Sequence, residues 1–303
     1  MRLLAMGAFA AGCCLARSEY EKRHLTVSHY TITDDKIPDC FDGVRILLLA
    51  DLHGRRFGRD NDRLYERIRA EYPDYILSAG DMILKTRPFD TSSVVRLFGR
   101  LKSLCPVFCA NGNHELALRR YPAGDKVTAY DRYVGQLTGQ GVTVLSDSTV
   151  KLEREGAYIA VTGLDLGLGY YARGLHVPMR ENYLLRKLGE PETGIFQILM
   201  GHYPNYLDRY AHWGADLVLA GHMHGGTVRL PGKGGLMSPN YEFFPVYDRG
   251  LYRKGRTSMV VSGGLGTHSV NIRLGGNDSQ LPVICLRKPR TKKAKGEDHG
   301  NRG

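Results

Sequence analysis

Beyond residue 43 the chain alternates short runs of leucine and β-branched residues with longer stretches whose apolar positions recur at helical spacing. Such a rhythm predicts strands alternating with helices. Residues 44–50 read as a buried strand, and residues 61–71 as a helix halted before Pro73. A second strand is expected at 75–79. Thr91 or Ser92 is placed to cap a helix that turns Val94, Val95, Leu97, Phe98 and Leu101 toward a core, and residues 107–110 follow as a third strand. Further strands are expected at 158–162, 196–200, 217–220 and 259–261, with a helix between Asn205 and His212. Two strand–helix–strand units open the series, which makes the class α/β.

Polar residues collect where these strands end. Asp51-Leu52-His53 follows the first, Gly80-Asp81 the second and Asn111-Gly112-Asn113-His114-Glu115 the third. Gly201-His202 follows the strand at 196–200, and Gly221-His222-Met223-His224 the one at 217–220. Taken singly, a D-x-H or a Gly-Asp is ordinary turn chemistry, and a lone buried histidine is usually just hydrogen-bonded. Ligands gather at the carboxyl ends of strands in α/β sheets, so five such clusters in order point to one shared site.

Asp51, His53, Asp81, Asn113, His202, His222 and His224 supply imidazoles, carboxylates and one amide oxygen, with no thiolate. Mixed nitrogen and oxygen donors suit manganese, iron or zinc and argue against calcium, which prefers oxygen alone. The set is too large for one ion, so two neighbouring divalent metals are the economical reading. In Asp51-x-His53 and His222-x-His224 an extended backbone would aim both side chains at one face while Leu52 and Met223 point away. The glycines before Asp81, Asn113, His202 and His222 would let backbone approach the cluster closely.

The ordered pattern D-x-H, G-D, G-N-H-E, G-H, G-H-x-H resembles that of the calcineurin-like metallophosphoesterases, across residues 44–275. The run from Gly221 to Gly232, then Gly235-Leu236-Met237-Ser238-Pro239-Asn240, Phe243-Phe244-Pro245 and Gly250-Leu251-Tyr252, is similar to the bacterial YaeI/YkuE-type phosphodiesterase branch. Two positions depart from it: Thr227 stands where a glutamine is expected, and Thr267-His268 where Asn-Ser is more usual. After Gly80-Asp81 comes Met82-Ile83-Leu84-Lys85-Thr86 rather than the Val-Asp-Arg-Gly of protein serine/threonine phosphatases, which disfavours that activity.

The resemblance implies a four-layer α/β/β/α sandwich. It assigns Asp51, His53 and His224 to one metal, Asn113, His202 and His222 to a second, and Asp81 to both. It leaves His114 outside the ligand set as a catalytic donor to the phosphoryl or leaving-group oxygen, with Glu115 placed to orient it. The implied activity is a dinuclear phosphohydrolase, a phosphodiesterase that cleaves a phosphoester or pyrophosphate bond by attack of metal-bound hydroxide. A lipid-linked phosphoester or a nucleotide-sugar lipid is the substrate class suggested by analogy. Arg229, Arg273 and His268 are candidates to touch substrate. Tyr241, Phe243, Phe244 and Tyr247 read as hairpin packing or as a lipid-facing rim. A nuclease is the alternative activity; a non-catalytic scaffold of the same fold would be expected to have lost ligands, whereas the whole set is present.

Composition adds limits. The 303 residues are 42% hydrophobic and 24% charged, which places the chain among globular proteins. The net charge of +11 invites a nucleic-acid reading, but Arg287 to Gly303 alone carries seven basic residues against two acidic ones. No interleaving of basic and aromatic residues marks a nucleic-acid track, so no specific nucleic-acid partner is expected, and residues 287–303 read as a solvated, disordered tail. The six cysteines form no CxxC pair and are too scattered for a disulfide scaffold.

Residues 3–16 lack charge and are flanked by Arg2 and Arg17. A spanning helix wants about 20 apolar residues, so residues 1–24 read as a signal-like or anchoring segment, ahead of a single domain at 25–286. Association with a bacterial cytoplasmic membrane through this segment is the expectation it raises.

Overall fold

The computed structural model describes residues 2–267 and 270–289. His268, and the tail from residue 290 onward, lie outside the described residues. The principal strands, in chain order, are β1 (Leu25–Thr33), β2 (Arg45–Leu49), β3 (Tyr75–Ser78), β4 (Val107–Ala110), β5 (Thr143–Leu145), β6 (Ser148–Arg154), β7 (Ala157–Gly163), β8 (Gln197–Met200), β9 (Leu217–Ala220), β10 (Gly250–Lys254), β11 (Thr257–Val261) and β12 (Ser279–Arg287). The helices are α1 (Arg2–Arg23), α2 (Asp62–Arg69), α3 (Ser92–Lys102), α4 (Asn113–Ala117), α5 (Ala129–Gly139), α6 (Tyr183–Leu188) and α7 (Leu207–Trp213). Each strand expected from the sequence forms within two residues of its expected ends.

Two six-stranded sheets result, ordered β1-β12-β2-β3-β4-β5 and β10-β11-β9-β8-β7-β6. Strands β2 to β5 run parallel, as do β7, β8, β9 and β11. Alternation along each strand decides what it faces. In β2, Ile46 and Leu48 join the core between the sheets, whereas Leu47 and Leu49 face a second core. There they meet Leu64 and Ile68 of α2, Val94, Leu97, Phe98 and Leu101 of α3, and Tyr133 and Leu137 of α5. In β9, Leu217 and Leu219 turn inward, while Val218 and Ala220 pack against Leu207, Tyr210 and Trp213 of α7 and Leu184 of α6. The three apolar clusters lie between helices and sheet, between the sheets, and between sheet and helices, which is the α/β/β/α sandwich.

The N-terminal segment is a single helix. Residues 5–17 are exposed, including Met6, Phe9 and Leu15. Its last turn is not: Ser18, Glu21 and Lys22 are buried against residues 271–279. No helix among the described residues is long and apolar enough to cross a membrane.

Candidate metal centre

All five polar clusters sit at the carboxyl ends of parallel strands, where the two sheets meet. Asp51 and His53 follow β2, Asp81 follows β3, Asn113 begins α4 directly after β4, His202 follows β8, and His222 and His224 follow β9. Each of these side chains is buried. The seam is stitched across the sheets: the Asp51 carboxylate of one accepts the His222 backbone N–H of the other, at 3.1 and 3.0 Å to its two oxygens.

The D-x-H and H-x-H pairs converge by a different route from the one expected. Asp51, His53, Asp81, His222 and His224 all have positive φ, between 50° and 68°. The pairs therefore lie in left-handed turns, not in extended strand, and Leu52 and Met223 are still driven into the helix-side cores. Such conformations cost about 1–3 kcal/mol each and persist where surrounding structure over-determines them, as at ligand clamps. Two glycines are needed for the close approach. A Cβ on Gly112 would lie 2.2 Å from Asp81 Oδ1, and one on Gly221 would lie 2.4 Å from Asp51 Oδ2.

Ligand-type atoms of Asp51, His53 and His224 lie within 4.8 Å of one another, and so do those of Asp81, His202 and His222. Neighbouring groups fix which imidazole nitrogen faces inward. His202 Nδ1 donates to the Ala79 carbonyl at 2.8 Å, which leaves the Nε2 lone pair 3.3 Å from Asp81 and 3.8 Å from Asp51. His224 Nδ1 donates to Gly266 O at 3.2 Å, and its Nε2 faces Asp51 Oδ1 at 3.5 Å and His53 Nε2 at 3.1 Å. His222 Nε2 donates to Asn240 Oδ1 at 3.2 Å, so Nδ1 is the nitrogen left to bind. Asn240 is held in turn by its Nδ2 donating to the Tyr203 hydroxyl at 3.0 Å.

This donor set fits a cation. The Asn113 Oδ1 acceptor is buried without a hydrogen-bond partner among the described residues, and so is His202 Nε2. Burial pushes the Asp51 carboxyl up to about 7. Burial acts the same way on Asp81, but the His114 and His202 imidazoles outweigh it and hold that carboxyl well below the usual carboxylate range. Burial also opposes charge on His202, yet Asp81 and then Asp51 raise the imidazole to about 9. Buried carboxylates demand positive charge beside them, and without a metal a proton on His202 supplies it.

His114 belongs to a third cluster with His53 and Asp81. Its Nδ1 accepts the Lys85 backbone N–H at 3.0 Å, so in the neutral ring the proton sits on Nε2, 3.9 Å from Asp81 Oδ2. Burial lowers its pKa, which favours that neutral ring. It therefore offers the centre a hydrogen-bond donor, not a lone pair. Glu115 does not orient it. That buried carboxylate accepts the backbone N–H groups of Asp81 at 2.8 Å, Met82 at 2.7 Å and Gly112 at 2.9 Å, and so sets the loops that carry Asp81 and Asn113.

Two expected substrate contacts are employed otherwise. Arg273 is 1% exposed, and its guanidinium donates to the carbonyls of Gly263, Gly264, Gly266, Asn277 and Asp278. It braces the loop behind His224. Arg229 is bound to Asp248 at 2.7 Å and to the Gly225 carbonyl at 3.0 Å. Asn240 and Tyr171 were not foreseen, because nothing in sequence spacing marks a residue that supports a ligand from another loop. Tyr171 lies 5.1 Å from the His222 ring, centre to centre. Of the aromatic stretch, Tyr241, Phe243 and Phe244 are exposed, whereas Tyr247 packs on Tyr252.

The model of the calcineurin-like phosphoesterase family matches residues 44–226. The chain belongs to that family. It is 29% identical to the uncharacterised metallophosphoesterase YkuE of Bacillus subtilis over 94% of its own length and 91% of that protein's. To the phosphodiesterase YaeI of Escherichia coli it is 26% identical, over 74% of this chain and 75% of the other. Among solved structures it is similar to a phosphopantetheinyl hydrolase of Mycobacterium tuberculosis, with a TM-score of 0.44 and 12% identity over 77% of this chain and 96% of that one. Family and site agree on a metal-dependent phosphoric ester hydrolase.

Removing the support of one imidazole tests the ligand geometry. Asn240→Ala frees the His222 ring and is expected to lower divalent-metal affinity by about 10–100-fold, read by calorimetric titration of the metal-free protein. Unchanged affinity would take His222 out of the ligand set.

Proposed function

We propose that the protein is a dinuclear metal-dependent phosphodiesterase. One observation carries the reading: six donors from four loops close on the junction of two sheets, with the buried, unpartnered Asn113 Oδ1 on the cavity that His222 lines and His114 Nε2–H beside them. Asp51, His53 and His224 would hold one cation and Asn113, His202 and His222 the other, with the Asp81 carboxylate available to both. Divalent cations bound there would neutralise a phosphoryl group and lower the pKa of an attacking water. The chain's own residues do the rest. His222 and His224 are held in the tautomers that face the centre, and Glu115 locks the Asp81 loop. His114 donates from Nε2 to the leaving oxygen, a role for which its buried, neutral ring is suited.

The substrate we infer is lipid-linked, and the protein works at a membrane surface. Met237, Pro239, Tyr241, Val270 and Ile272 gather beside His224, an apolar margin that supports an apolar substituent on the phosphoester. Exposed Phe243, Phe244 and Val246 form a further apolar surface, and α1 exposes Met6, Phe9 and Leu15 between basic residues. Apolar side chains flanked by basic ones suit contact with an anionic bilayer without a span.

Asp81→Asn is expected to cut hydrolysis of bis-p-nitrophenyl phosphate by about a hundredfold or more while melting stays cooperative; near-normal turnover would refute its place between the cations. His114→Ala should retain the full metal content and lose about 10²–10⁴-fold in turnover. Loss of one equivalent of metal would make it a ligand instead. Deleting residues 1–16, which leaves Ser18, Glu21 and Lys22 in place, should move the protein from vesicles of anionic phospholipid to the supernatant on sedimentation. Continued binding would assign attachment to the surface around Phe243.

A further inference from the structure

Asn113 and His222 form one wall of an open cavity of about 300 Å³. Lys85, Arg120 and Arg173 line it from other sides, and no carboxylate does among the described residues. Each cation is tied to the site by its own segment. Lys85 is the residue whose backbone N–H fixes the His114 tautomer. Arg120 ends the turn Leu118–Arg120 that continues α4, the helix that begins with Asn113. Arg173 follows the turn Leu168–Tyr171 and donates to the Tyr241 hydroxyl at 3.1 Å.

The neighbouring Arg119 shows the contrast. It is spent on Asp165 at 2.6 Å, whereas neither Lys85 nor Arg120 has an ion-pair partner among the described residues. The Tyr171 hydroxyl, on the same cavity, is buried and makes no hydrogen bond among the described residues. Three like charges around one cavity repel one another, and an anion in their midst relieves that repulsion. They line the same cavity as Asn113 and His222, which places positive charge next to the phosphoryl group that the metals would hold.

We propose that Lys85, Arg120 and Arg173 bind a second phosphate of the substrate, one bridging oxygen away from the scissile phosphorus, and so make the enzyme selective for pyrophosphate diesters over simple diesters. The inference rests on the phosphodiesterase reading and narrows it. Water oxygen forms the new bond to the scissile phosphorus and the bridging P–O bond breaks. Its electron pair stays on the oxygen of the leaving phosphate, which departs as the anion while accepting a hydrogen bond from His114 Nε2–H, and the attacking water gives up its proton to solvent. The cationic wall meets the charge that grows on that leaving phosphate.

The test uses the full-length, metal-loaded protein, with UDP-glucose as pyrophosphate diester and the p-nitrophenyl ester of thymidine 5′-monophosphate as simple diester. In the variant Lys85→Ala/Arg120→Ala/Arg173→Ala, the ratio of kcat/KM for the first over the second is expected to fall about tenfold or more, mainly through KM. Calorimetry on the metal-free protein should show UDP-glucose bound about tenfold more weakly by the variant. An unchanged ratio, a proportional loss on both substrates, or wild-type affinity no tighter than the variant's overturns the proposal. Wild-type turnover of the thymidine ester without any of UDP-glucose overturns it while the phosphodiesterase reading stands; turnover of neither sinks both.

Discussion

Two carboxylates, Asp51 and Asp81, are shut away from water at the seam of the sheets, and most of the surrounding architecture follows from that. An ionised carboxylate in an apolar interior is too costly to persist without compensating charge. The chain surrounds the pair with His53, His202, His222 and His224 and with backbone N–H groups, yet leaves the imidazole lone pairs converging on the same small volume. Hydrogen bonds to carbonyls and to Asn240 occupy the outward nitrogens of three of these rings, so the inward ones are turned toward each other and the carboxylates. A cation is the species that satisfies all of them together.

The left-handed turns are the conformational side of the same constraint. An extended continuation of β2 would aim Asp51 and His53 at one face, but the strand ends at Leu49 and the pair lies beyond it in left-handed backbone. Breaking out into positive φ at both residues folds the pair back over the strand end. Leu52 between them drops into the core with Leu49 and anchors the turn from beneath. Met223 does the same between His222 and His224 from the other sheet. The strain at the donors is thus held in place by apolar burial one residue away.

Sequence patterning made the interior of the fold legible, because β2, β3, β4, β8 and β9 are buried on both faces and read as uninterrupted apolar runs. The strands on the far side of β2 were not legible. β12 contains Pro282, which argues against a strand; Pro282 sits where β12 pairs only with Ser28 of β1, before the ladder to β2 begins at Val283. β1 is half-exposed and mostly polar, and it is paired with residues some 250 positions away in the chain, a separation no local pattern encodes. At the site, the donors were visible because each closes a strand. Their orientation was not, because it depends on contacts to the carbonyls of Ala79 and Gly266 and to Asn240, each made between separate segments of the chain.

The N-terminal helix also looks different once its contacts are followed inward. Glu21, fully buried, accepts the backbone N–H groups of Gly276 and Asn277 at 2.9 Å, and Ser18 accepts that of Arg273 at 3.1 Å. Arg273 in turn holds the carbonyls of Gly264 and Gly266, and Gly266 is the acceptor that sets the His224 tautomer. Asn277 donates to the His224 carbonyl itself at 2.9 Å. The last turn of α1 is therefore part of the wall that backs one metal ligand, although the residues before it are exposed. A segment that reads as a detachable leader by its lack of charge is, at its carboxyl end, a structural element of the active domain, joined through Ser18, Arg273 and Gly266 to His224.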